Sequence, residues 1–64
     1  MTAESFNRWL ADMKSAGLAR SEAECGRLLD VAPNTLTSYK RRGGSRSLAL
    51  ACRALLHRLA PYGD

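Results

Sequence analysis

Four breaks constrain the fold of this chain more than any other feature. Gly17, the step Asp30-Val31-Ala32-Pro33, the pair Gly43-Gly44 and Pro61 cut it into short stretches. Within each stretch the apolar residues recur at helical spacing, and no useful length alternates as a strand does. In the first, Thr2 is placed to cap a helix and Glu4 stands in its first turn, where the helix dipole favours an acid. Phe6, Trp9, Leu10 and Met13 follow at i, i+3, i+4 and i+7. Gly17 is a good stop, and Leu18 beyond it can fold back on the stripe.

Ser21 and Glu24 form a capping box that opens a second helix running to about Leu29. Its inward residues are Ala23 or Cys25, with Gly26, Leu28 and Leu29. A mid-helix glycine costs about 1 kcal/mol against alanine, so Gly26 implies that another helix crosses closely there. Pro33 suits the first position of a third helix, where its missing N–H is harmless. Leu36 and Tyr39, with Val31 just before, are its apolar side. A fourth helix is capped by Ser45 or Ser47 and continues to about Leu59. Its stripe is Leu48, Ala51, Cys52, Leu55 and Leu59, and Leu50, Ala54 and Leu56 widen it. The expected fold is therefore all-α: one domain over residues 1–64 with helices at about 3–16, 22–29, 33–41 and 46–59.

Size narrows the function. A chain of 64 residues buries only about 60% of its unfolded surface, and a pocket needs about 300 Å³ or more of walled space. A self-contained enzyme is not expected. Cys25 and Cys52 lie on apolar faces, with no C-x-x-C pair. His57 has no second ligand one turn away. No metal site, catalytic residue, cofactor or small-molecule effector is expected, and the two thiols read as reduced and buried. No apolar run is long enough to span a membrane, and no basic leader with an apolar stretch opens the chain. The expected location is the cytoplasm.

Charge is where the chain departs most from a neutral bundle. The formal net charge is +4, but residues 1–32 carry four basic and five acidic side chains, while 33–64 carry six basic and only Asp64. A basic half on a small domain suggests a polyanionic partner, nucleic acid first among them.

The span SEAECGRLLDVAPNTLTSYKRRG, Ser21 to Gly43, resembles the helix-turn-helix of phage-repressor-like regulators of the Cro/CI or XRE type. The string Val31, Pro33, Thr35, Leu36 and Tyr39 is its strongest part. Three positions depart from the pattern: Asp30 stands where the tight turn usually has glycine, Ala32 where the cap usually has serine or threonine, and Glu22 where a phosphate-binding glutamine is common. The resemblance implies double-stranded DNA binding with the third helix in the major groove. The matching base-facing positions are Asn34, Thr37, Ser38 and Arg41; asparagine suits adenine, arginine suits guanine, and a threonine methyl can meet that of thymine. Ser21, Arg27, Thr35, Lys40, Arg42 and Arg46 are the candidates for phosphate.

One protomer reads few base pairs, so a homodimer on an inverted repeat is expected. The broad apolar last helix, at Leu50, Ala54, Leu56 and His57, is the candidate contact. Such a protein would act as a repressor or autoregulator of a phage or mobile-element operon by blocking polymerase. Two alternatives stand beside it. One is a MerR-like or excisionase-like DNA-binding or architectural protein, which would add a β-wing. The other is an antitoxin-like module whose basic half meets an acidic protein.

Overall fold

The computed structural model describes residues 1–63 of the chain. Those residues form four helices: α1, Ala3–Ser15; α2, Glu22–Leu28; α3, Pro33–Arg42; and α4, Arg46–Leu56. No strand occurs among them, so the fold is the expected all-α domain and the wing of the MerR-like alternative is missing from the described residues.

The helix starts follow local chemistry. Thr2 and Ser45 accept hydrogen bonds from the backbone N–H groups of Ser5 and Leu48, so Ser45 rather than Ser47 caps α4. Ser21 accepts from the Glu24 N–H at 3.1 Å. The return arm of this capping box reaches one residue further than usual, because Glu24 Oε1 accepts from the Arg20 N–H. α3 begins at Pro33, and its cap residue Ala32 gives no side-chain bond. Pro33 itself has no N–H to satisfy, which lightens the loss.

Three helices end alike. Gly17, Asp30 and Arg58 each take a left-handed conformation, and each end has the paired backbone bonds of a Schellman motif. In α2 the Asp30 N–H reaches Arg27 O and the Val31 N–H reaches Gly26 O, both at 3.0 Å. Asp30 thus does the work of the usual glycine.

The third such end corrects the sequence reading. α4 stops at Leu56, not near Leu59. The Arg58 N–H bonds Leu55 O and the Leu59 N–H bonds Ala54 O, which turns the chain away. Pro61 already bars Ala60 from helical geometry, and Leu59 finds nothing to pack on, remaining 62% exposed. Ala51 is also exposed, so the buried side of α4 is Leu48 and Cys52, with Leu55 and Leu56 half-buried. In α2 the inward residues are Cys25 and Gly26, while Ala23 and Leu28 face out.

α1 is the hub of the domain, since α2, α3 and α4 all pack on it. Its stripe of Phe6, Trp9, Leu10 and Met13 is buried together with Ala19, Cys25, Leu36, Leu48 and Cys52. The Phe6 ring meets Tyr39 edge-on at 5.4 Å and Trp9 at 5.5 Å. Such aromatic pairs add about 0.5–1.5 kcal/mol beyond their buried area. Gly26 sits under Leu36 as expected: a Cβ there would lie 3.4 Å from Leu36 Cδ2.

Candidate nucleic-acid interface

The orientation of α3 follows from what it buries. Leu36 is buried and Tyr39 packs against the core, so the opposite side of the helix faces solvent. At a hundred degrees per residue, Asn34 and Arg41 fall at the centre of that outer side, with Thr37 and Ser38 flanking them. These four, with Arg42, line one shallow hollow of about 150 Å³. All four residues expected to face bases thus share one surface. The Thr37 hydroxyl donates to the Pro33 carbonyl at 3.1 Å, which leaves its oxygen free only as an acceptor.

The residues expected to meet phosphate are dispersed around this surface. Arg42 borders it. Arg27 and Lys40 lie in the neighbouring groove between α2 and α3. Ser21 is exposed but already caps α2 through its oxygen, leaving its hydroxyl proton to donate. Thr35 is half-buried. Arg46 stands apart, on the rim of a hollow between α1 and α4.

Lys40 is engaged within the protein. Its ammonium donates to Glu22 Oε1 at 2.5 Å, and Lys14 lies 4.0 Å from the other carboxylate oxygen. The Lys40 hydrogen bond, with the charges of Lys40 and Lys14, holds the Glu22 carboxyl below the usual carboxylate range against a smaller opposing effect of burial. The Glu22 carboxylate therefore has its charge answered by two lysines. This cluster also fastens α1, α2 and α3 to one another. Both lysines of the chain are spent on it, while among the described residues none of the eight arginines forms an ion pair. Guanidinium groups are the better match to phosphate and to guanine edges.

Comparison of the chain with protein-family models, with curated proteins and with solved structures finds no match.

Two site features were missed in the sequence. Asn7 donates from Nδ2 to Ala3 O and to Lys40 O, both at 2.9 Å, so α1 holds the C-terminal end of α3 in place. Its signal was present: Asn7 lies three residues before Leu10, at the edge of the buried stripe. Arg8 lines the α1–α4 hollow with Arg46 and Arg53.

Of the residues expected at a dimer contact, Leu50, Leu56 and His57 line that same hollow, Leu50 with 61% of its surface exposed. Ala54 is half-buried and outside it. The two thiols are free and buried. Burial pushes Cys52 up to about 12 and raises Cys25 as well, so neither presents a thiolate at neutral pH. Among the described residues no group of three or more His, Cys, Asp or Glu side chains gathers to hold a metal ion. No helix among them is long and apolar enough to cross a membrane.

Proposed function

We propose that this chain is a sequence-specific double-stranded DNA-binding regulator that inserts α3 into the major groove. The observation that carries the reading is the common surface of Asn34, Thr37, Ser38 and Arg41, bordered by Arg42, on the solvent side of a helix whose other side is anchored by Leu36 and Tyr39. That surface offers the amide, hydroxyl and guanidinium groups that pair with base edges. Arg27 and Arg42, which form no ion pair among the described residues, border that surface and supply the phosphate term.

From Asn34 to Arg41 the helix rises about 10 Å, the height of about three base pairs. One protomer therefore reads a short half-site, and two protomers on an inverted repeat, about 34 Å apart, double it. Bound in that way, the protein represses by covering the promoter.

The test is selection of binding sites from random duplex DNA by the purified chain. A two-fold symmetric enriched site, with affinity falling steeply as salt rises, is the expected result. Retention of DNA without any enriched sequence would replace this reading by an architectural one. No salt-dependent retention at all would remove DNA from the function.

A further inference from the structure

The hollow between α1 and α4 lies apart from the α3 surface. It holds about 390 Å³ and shares no lining residue with the α3 surface. Leu50 and Leu56, with Ala49, contribute apolar surface to it, and the almost wholly buried Trp9 lies just beneath. Arg8, Arg46 and Arg53 stand around them, and Asp12 is the one acid among the lining residues. None of these arginines forms an ion pair among the described residues. The hollow is thus apolar with an excess of unanswered positive charge.

Those two properties select the occupant together. A phosphate chain would satisfy the arginines but leave Leu50 and Leu56 without an apolar partner. A second copy of this chain would bring a leucine, but also three more arginines against one more aspartate, and like charges at close range oppose docking. A segment with apolar side chains flanked by carboxylates satisfies both. We propose that the α1–α4 groove docks an acidic amphipathic segment of another protein, placing leucine-like side chains against Leu50 and Leu56 and its carboxylates on Arg8, Arg46 and Arg53. The groove lies in the size range of pockets that enclose a small ligand or a few side chains. Because it is separate from α3, such a partner binds while α3 is occupied, and protomers held side by side by DNA need no contact through it.

Trp9 is the only tryptophan of the chain and lines the groove, so its emission reports occupancy. The probe is a synthetic peptide of about 14 residues, near the shortest length that sustains a helix, with leucines at i, i+3, i+4 and i+7 and glutamate elsewhere. Titrated into the full chain at low salt, it is expected to change Trp9 emission saturably. Arg53→Glu and Arg8→Glu, on opposite walls, are each expected to weaken it about tenfold, equivalent to about 1.4 kcal/mol. Leu50→Ser weakens it as well. These side chains are exposed, and circular dichroism of each variant verifies its helix content.

Equal binding of the peptide with lysine in place of glutamate would overturn the proposal, since charge would then be irrelevant. So would equal binding of the peptide with serine in place of leucine, which would make the groove a simple anion site. Sedimentation of the free chain as a dimer, lost together with peptide binding in Leu50→Ser, would assign the groove to a second copy instead. The titration does not depend on DNA, so failure of the DNA reading leaves its outcome intact.

Discussion

The indole N–H of Trp9 donates to the Cys52 carbonyl oxygen at 2.8 Å, in the buried core and across 43 residues of chain. This bond joins α1 to α4, whose only substantial packing is on α1. A buried acceptor that loses its donor costs about 1–3 kcal/mol, and the smaller ring of phenylalanine adds a cavity. Trp9→Phe is expected to lower stability by about 2–3 kcal/mol. The change reads as a lower urea midpoint with an unaltered slope, followed by circular dichroism.

Two glycines respond oppositely to alanine. At Gly26 a methyl group lands in ordinary contact with Leu36 Cδ2, at 3.4 Å, inside a helix. Gly26→Ala is expected to stabilise the domain by about 0.5–1 kcal/mol. Gly43 has φ +77° and ψ −158°, a region open to glycine alone, and a Cβ there falls on the Met1 carbonyl oxygen and the Thr2–Ala3 peptide. Gly43→Ala is expected to cost about 3 kcal/mol or more and to leave this small domain largely unfolded in thermal melts.

The thiols give a third prediction. Cys52 is 1% exposed and Cys25 fully buried, and burial raises both. At about pH 8 an ordinary exposed thiol is partly ionised and reacts readily. In this chain both are expected to resist a thiol reagent until urea unfolds the domain, with labelling following the unfolding curve. Prompt labelling of either cysteine in the folded chain would contradict the packing of α2 or α4.

The sequence was most legible where the chemistry is local. Thr2, Ser21 and Pro33 mark helix starts because caps and proline act within a turn of themselves, and Asp30-Val31-Ala32 marks a break; that Asp30 itself takes the left-handed turn was not read, although aspartate tolerates that conformation better than most. The common solvent side of Asn34, Thr37, Ser38 and Arg41 was legible because Leu36 and Tyr39 fix which side of α3 is inward. The inward face of α2 was not: seven residues are under two turns, too few to tell a stripe headed by Ala23 from one headed by Cys25. The end of α4 was missed because Arg58 carries no glycine-like signal, and the turn depends on there being nothing for Leu59 to pack on. The bond from Lys40 to Glu22 spans 18 residues and depends on how two helices cross, which no spacing rule contains.

On the proposed DNA reading, Arg41 and Arg42 separate reading from holding. Arg41 lies at the centre of the outer side of α3, and Arg41→Ala is expected to lose about 1–3 kcal/mol and to relax preference at one base pair per half-site. Arg42 borders the same surface from the end of the helix. Arg42→Ala is expected to weaken all duplexes alike and to reduce the salt slope by about one. Binding measured on the selected site and on single-position variants, across salt, distinguishes the two. Unchanged preference in Arg41→Ala would mean that α3 is turned differently in the groove.

The Glu22–Lys40 pair gives the last prediction, because it joins stability to binding. Glu22 has its carboxyl held below the ordinary range when folded, by the Lys40 hydrogen bond first. A carboxylate of this kind stabilises the fold above its unfolded value, about 4.3, and that contribution disappears as pH falls through the lower folded value. Both side chains are more than a third exposed, so the pair contributes at most about 1 kcal/mol. Glu22→Gln is therefore expected to lower stability slightly at neutral pH and to converge with the wild-type chain in acid. On the proposed DNA reading, its effect on binding runs the other way. Without the carboxylate, Lys40 is released toward a phosphate, and an acid is removed from beside Arg27. Affinity is expected to rise, with a salt slope steeper by about one. Glu22→Gln with weaker DNA binding would show that the pair positions α3 for contact, rather than withholding a lysine from it.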